Sequence, residues 1–152
     1  MLYDIVIIGA GICGTMLARE LSRYKLKVAV LDKENDIANG ATMANSAIVH
    51  AGYDPEDGTL KAELNVIGAR KYPQLCEELN CHIKNTGAYV VACGAEEEAR
   101  LDALADRAAR RDIPHELLSG DEARAAEAKL SENVTKVLSF PTMSVIYPWE
   151  VA

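Results

Sequence analysis

The hexapeptide Gly9-Ala10-Gly11-Ile12-Cys13-Gly14 constrains this chain more than any other stretch, because of what surrounds it. Residues 3–8, YDIVII, are short, β-branched and bounded by glycine, as a buried strand is. Residues 11–24 then carry Ile12, Met16, Leu17, Leu21 and Tyr24 at the spacing of one helical face. Residues 27–31, KVAVL, form a second strand of the first type. Strand, helix and strand within about thirty residues make a βαβ unit. Its strands must run parallel, joined by a right-handed crossover.

Each glycine of G-x-G-x-x-G has a physical task in this setting. Gly9 permits the tight turn from strand to helix, Gly11 lets backbone approach a pyrophosphate, and Gly14 lets the helix pack closely on the strand. The helix start aims unpaired N–H groups and a positive dipole end at the phosphates. Asp32 closes the second strand, eighteen residues past Gly14. A carboxylate there accepts both ribose hydroxyls of an adenosine and repels a 2′-phosphate. A glycine turn without a ligand would need no such acid, so the combination predicts a dinucleotide site.

At 152 residues the chain is long enough for one domain, or one domain and part of another. Its 49% apolar content supplies a core and argues against disorder. Sixteen basic against twenty-three acidic residues leave a formal charge of −7, which excludes a nucleic-acid or anionic-membrane surface. The one basic cluster, Arg107, Arg110 and Arg111 beside Asp106 and Asp112, is expected to be a solvated helix face. No integral membrane segment or cleavable signal is expected, since the opening apolar run stops at Gly9. Cys13, Cys76, Cys81 and Cys93 form neither a C-x-x-C pair nor a metal-ligand cluster, so a reduced, cytoplasmic protein with buried thiols is expected. Cys13 lies near a helix start, where the dipole favours thiolate, but a packing role is expected of it.

Beyond Asp32 the pattern dissolves into NDIANGATMANS, a polar connection with turn chemistry at Asn39-Gly40. A short extended piece at 47–50 and a turn at 54–58 lead to a helix over 59–72, which Pro73 should interrupt or kink before a further piece at 74–79. Residues 88–93 read as a strand. Residues 96–111 make an amphipathic helix with Leu101, Leu104, Ala105 and Ala108 on one face. Ser119-Gly-Asp-Glu122 matches the S-x-x-E capping box of a short helix. Residues 134–140 and 144–147 are strand-like, and the strands past residue 85 should be antiparallel or mixed.

The dinucleotide could carry nicotinamide or flavin. A nicotinamide domain usually continues its βαβαβ alternation after the acid, whereas here a polar insertion follows, rich in Thr42, Asn45, Ser46 and His50. A flavin needs hydrogen-bond partners for its ribityl chain and ring beyond the sheet edge. That tilts the choice to FAD.

With these residues in view, IVIIGAGICGTMLARELS and KVAVLDKE, followed by GATMANSAIVHAGYDPEDGTLKAELNVIGA, resemble the glutathione-reductase-like FAD proteins of the D-amino-acid-oxidase superfamily. Within it the chain looks most like the FAD-dependent glycerol-3-phosphate dehydrogenases of the anaerobic or clostridial type. The L-2-hydroxyglutarate oxidases share a similar N-S-x-x-x-H-x-G segment, with Ala47 here in place of their typical glycine. The resemblance implies an α/β fold. Residues 1–85 would be the N-terminal part of a Rossmann-like FAD-binding domain, 86–147 the first part of an α+β substrate domain, and 148–152 the return to the first.

The resemblance also implies roles. Gly9, Gly11 and Gly14 would hold the pyrophosphate and Asp32, in place of a more usual glutamate, the adenosine ribose. Thr42, Asn45 and Ser46 would line the pyrophosphate and ribityl region, and Ala47 would begin a run along the flavin ring. Ala10, Ile12 and Lys33 complete the set expected at the cofactor. His50 is the candidate base, with a structural histidine bonded to backbone as the competing reading; His82 and His115 are expected at the surface. The implied reaction oxidises a small hydroxyl substrate, glycerol 3-phosphate first and L-2-hydroxyglutarate as the alternative. The partners are that substrate and an electron-acceptor protein, or the C-terminal remainder of the same enzyme. The family is several hundred residues long, so the chain is expected to be an N-terminal piece, inactive alone. A non-catalytic dinucleotide-binding module and an NAD-dependent dehydrogenase remain the other readings.

Overall fold

The computed structural model describes residues 2–152. The chain divides into two compact units. One runs through Ala47 and includes Cys76–His82 and Ile146–Ala152; the other comprises Ile48–Leu75 and Ile83–Val145. Among the described residues no helix is long and apolar enough to cross a membrane.

In the first unit β1 (Ile5–Ile8) and β2 (Val28–Leu31) pair in parallel, Ile5 opposite Val28 and Ile8 opposite Leu31. The helix α1 (Ile12–Leu21) connects them, as the βαβ pattern requires. The ladder starts later than residue 3 because the Asp4 carboxylate takes the Lys27 N–H at 2.7 Å, closing that end with a side chain. The short helix α5 (Pro148–Val151) also belongs here, with Pro148 at its first turn, where a missing N–H is harmless.

The second unit is built on β5 (Ala88–Ala92), β6 (Glu116–Ser119) and β7 (Lys136–Phe140), with β7 in the middle and both pairings antiparallel. Val137, Leu138 and Phe140 are wholly buried. The helix α3 (Ala95–Arg110) lays Leu101, Ala105 and Ala108 on this sheet, with Leu104 half-buried at the margin, the face its periodicity predicts. Ser119 and Glu122 form the expected capping box ahead of α4 (Gly120–Ala126): each takes the other's backbone N–H. A smaller sheet has the order β3 (Ile48–Val49), β8 (Ser144–Ile146), β4 (Ile83–Asn85), with β3 and β8 antiparallel. The strands β4 and β6 escape the sequence pattern because each is too short and polar to show a period.

Two expectations are corrected. Pro73 neither ends nor splits the helix: α2 (Leu60–Leu79) runs through it. The lost backbone bond is tolerated because both flanks are anchored, Val66 against the core and Cys76 buried at 1% exposure. The helix then stops in a Schellman turn. Asn80 takes the left-handed conformation (φ 53°), Cys81 N–H reaches Cys76 O at 2.9 Å, and Asn80 N–H reaches Glu77 O.

The arginines of α3 are the second correction. Only part of the cluster is a solvated face: Arg110 stays exposed, whereas a turn of backbone carbonyls and one carboxylate lies against Arg107 and Arg111. Arg107 donates to Asp54 O at 2.6 Å and Arg110 to Asp57 Oδ2 at 2.7 Å. Arg111, which follows α3, donates to Gly52 O, Pro55 O and Asp57 Oδ1. The thiols are mixed: Cys76 is buried and pushed up to about 12 by burial and then by the neighbouring Cys81, whereas Cys13 and Cys93 are exposed.

Candidate cofactor site

The parallel register sets Gly9 beside the end of β2, and its N–H reaches Leu31 O at 2.7 Å. Gly9 adopts φ +104°, a conformation side chains resist, so the strand turns at once into α1. Gly14 answers to a different constraint. A Cβ there would lie 1.9 Å from Gly9 O and 3.3 Å from the Ile7 side chain, so only glycine allows α1 to sit this close to β1. A Cβ at Gly11 would meet Thr42 Oγ1 at 3.1 Å.

Asp32 is held from two sides. Its Oδ2 accepts the Ala10 N–H at 2.5 Å and its Oδ1 the Glu34 N–H at 2.9 Å. These donors, Ala10 first, hold its carboxyl below the usual range. Each carboxylate oxygen has a second lone-pair direction, so Asp32 can accept further hydrogen bonds. Thr42 is buried, and its hydroxyl accepts the Ile12 N–H at 3.0 Å, satisfying one of the donors that begin α1. Asn45 holds its own loop: its amide donates to Ala41 O and Thr42 O, and its carbonyl takes the Ala47 N–H at 2.7 Å. Ser46 is exposed. Ala47 is half-buried at φ 59°, which explains why glycine suits this position. Lys33 points to solvent, 88% exposed, beside Glu34.

Gly9, Ala10, Gly11, Ile12, Gly14, Asp32 and Thr42 are therefore brought together, and Asn45 to Ala47 follow on the same loop of the same unit. His50 lies past the unit boundary. It is exposed, and its ring takes part in no hydrogen bond among the described residues. His82 is exposed as expected, with its N–H and Nδ1 on Glu150 at 2.8 and 2.9 Å. These contacts, backbone first, hold the Glu150 carboxyl below its ordinary range. His115 is half-buried instead of surface-exposed, since Nδ1 meets Ile113 O at 2.8 Å and the ring lies against Phe140.

Sequence reasoning missed the residues after Asp32. A cleft of about 510 Å³ is lined by Ala10, Asp32, Glu34, Asn35, Asp36 and Ile37 among others. Ala38, buried at φ 61°, pins this loop through an N–H bond to Ala10 O at 2.9 Å. A polar stretch without period carries no signal for such a role. The observed parts suit a dinucleotide: a strand-to-helix turn that Gly9 and Gly14 keep tight, an N-terminal helix end, and a carboxylate beside an open cleft.

Comparison with known proteins gives the same picture. Residues 4–152 match the family described as DAO, FAD dependent oxidoreductase. The chain is 41% identical over 150 residues to a glycerol 3-phosphate dehydrogenase of Caloramator mitchellensis, covering 98% of this chain and 31% of that protein. It is 30% identical over 154 residues to the mitochondrial L-2-hydroxyglutarate dehydrogenase of Dictyostelium discoideum, covering 99% and 34%. A dithionite-reduced L-α-glycerophosphate oxidase from Mycoplasma pneumoniae with FAD bound superposes at a TM-score of 0.91 and 27% identity, over 98% of this chain and 40% of that one. The chain thus spans about a third of the length of these two relatives.

Proposed function

The chain belongs to the FAD-dependent oxidoreductases of the DAO family, and from that premise we propose that the protein it forms part of oxidises glycerol 3-phosphate to dihydroxyacetone phosphate. The observation carrying this reading is 41% identity to a glycerol 3-phosphate dehydrogenase over nearly the whole chain. When bound, FAD supplies the hydride acceptor for the C–H beside the substrate hydroxyl.

The chain's own residues have the binding and orienting work. Gly9, Ala10, Gly11, Ile12 and Gly14 line the pyrophosphate, with the start of α1 stabilising its charge. Asp32 takes the adenosine ribose and Lys33 flanks it. Thr42, Asn45, Ser46 and Ala47 form the loop along the rest of the cofactor. Thr42 and Asn45 act through the backbone they order, since their side chains already hold Ile12 and Ala47. His50 accepts the hydroxyl proton; its exposed ring supports this role. Residues 1–85 and 148–152 serve the FAD-binding domain and 86–147 the substrate domain. Four free cysteines suit a cytoplasmic setting. Electrons leave to an acceptor protein or to the rest of the same enzyme.

A second reading, oxidation of L-2-hydroxyglutarate, draws on the 30% identity to such a dehydrogenase. The test is anaerobic mixing of the full-length, FAD-loaded protein with each substrate while visible flavin absorbance is followed. Bleaching by glycerol 3-phosphate is the expected result. Bleaching by L-2-hydroxyglutarate alone selects the second reading, and a protein that takes up no FAD would be a non-catalytic module.

A further inference from the structure

The segment carrying His50 is gripped from both sides. On one side Gly52, at φ +98°, presses on α2: a Cβ there would meet the Val66 side chain at 2.6 Å and the Val66 backbone nitrogen at 3.1 Å. On the other side lies Arg111, whose side chain is only 11% exposed. Its Nη1 donates to Gly52 O, and its Nη2 to Pro55 O at 2.5 Å and Asp57 Oδ1 at 2.6 Å. Arg110 takes the other oxygen of Asp57 at 2.7 Å. The two guanidinium groups hold the Asp57 carboxyl below its usual range. Between these points Tyr53 stacks on Phe140, ring centres 4.0 Å apart and planes 11° from parallel.

Arg111 is itself fixed from behind. Arg70 of α2 donates to Arg111 O and to Asp112 O, both at 3.1 Å, so the end of α3 cannot drift from α2. A planar guanidinium with five donors in fixed directions can bind three acceptors at once; an ammonium cannot hold the same set in one geometry.

We propose that Arg111 is a positioning residue for the oxidation: by binding Gly52 O, Pro55 O and Asp57 together, it sets the backbone from His50 to Tyr53 and so the aim of the His50 ring. This rests on the reading above in which His50 accepts the substrate proton. Arg111 touches neither substrate nor cofactor. It acts through a backbone two residues from the base, where small displacements have large kinetic consequences.

The test uses the full-length, FAD-loaded enzyme with glycerol 3-phosphate as substrate, comparing wild type with Arg111→Lys. The expected result has three parts. FAD uptake and thermal midpoint stay near wild type, because the cofactor residues lie on other segments. Chymotryptic cleavage after Tyr53 speeds up about tenfold, the weight of one charge-assisted hydrogen bond. Anaerobic flavin reduction slows about a hundredfold, with a changed pH profile, as expected when a reacting group is displaced.

Unchanged flavin reduction with faster cleavage would overturn the proposal, since the segment would not need to be held. A parallel fall in FAD uptake, thermal midpoint and rate would overturn it too, leaving Arg111 a purely structural residue. Asp57→Asn keeps both carbonyl contacts of Arg111 while removing the charge and turning one acceptor oxygen into a donor, so it serves if Arg111→Lys does not fold. It should slow flavin reduction by a smaller factor with cleavage after Tyr53 raised; no change in either defeats the proposal. If neither glycerol 3-phosphate nor L-2-hydroxyglutarate bleaches wild type, the underlying reading falls, and that failure is visible before Arg111 is altered.

Discussion

In the parallel pair β1–β2, Val6, Ile8 and Leu31 are 49%, 89% and 57% exposed, whereas Val137, Leu138 and Phe140 of β7 are 0% exposed. Parallel sheets are stable when both faces are covered, and an antiparallel sheet can leave one face to water. The second unit accordingly closes its core with α3 and α4 over three antiparallel strands. In this chain, which spans about a third of its relatives' length, the glycine-loop unit is best described by its backbone fits: Gly14 against Gly9 O, Asp32 on two amides, Thr42 on the first helical N–H. The two regions should therefore fail under different insults.

The widest contrast is expected from truncating apolar side chains. Phe140→Ala should destabilise by about 3–5 kcal/mol, while Ile8→Ala in this chain should stay within about 0.5 kcal/mol. Urea unfolding followed by circular dichroism measures both, and similar values would erase the distinction. Next in size is a single methyl group in the glycine unit. Gly14→Ala forces α1 off β1, at a cost of about 1–3 kcal/mol, and should abolish FAD uptake by the full-length protein. A variant that still turns yellow with FAD would break the view that backbone fit governs this region.

A smaller effect of opposite sign is expected at Ala47. Its φ of 59° is unfavourable for any residue with a Cβ, so Ala47→Gly relieves about 1–2 kcal/mol of strain. Glycine's extra freedom in the unfolded chain returns about 0.4–1 kcal/mol, leaving a net gain between about 0 and 1.6 kcal/mol in thermal unfolding. The smallest effect is electrostatic and has one carboxylate in each region. Asp32 and Asp57 both have folded-state pKa values below their unfolded values. Each therefore adds stability that is fully present above the ordinary aspartate value of about 4 and is lost as pH falls from there through the lowered folded-state value. Salt should weaken the Asp57 contribution, which comes from two guanidinium charges on a half-exposed carboxylate, and leave that of Asp32, which comes from amides. Acid titrations of Asp57→Asn and Asp32→Asn at low and high salt separate the two; equal salt responses would contradict the assignment.

Much of the local architecture was readable from residue order. The βαβ unit, the buried stripe of α3 and the Ser119–Glu122 box all depend on neighbours within a few positions, and they stand where periodicity and capping rules put them. Pro73 misled because its local penalty is real, but anchoring on both sides of it outweighs a missing backbone bond. The arginines of α3 misled for the converse reason. Their spacing is that of any charged helix face, and nothing nearby in sequence announces that a turn more than fifty residues earlier will supply carbonyls to them. At the cofactor site the glycines and Asp32 were legible, whereas the cleft residues after Asp32 carry no pattern.

Residue order alone was enough for the glycine turn and the acid at the end of the second strand, because both rest on chemistry at fixed short spacing; the flavin followed from the polar insertion and the family resemblance. Which partners those residues take was left to the folded chain. Thr42 meets Ile12 across 30 positions and Arg111 meets Gly52 across 59. Contacts of that range depend on where whole segments pack, and packing is decided by burial over many residues at once.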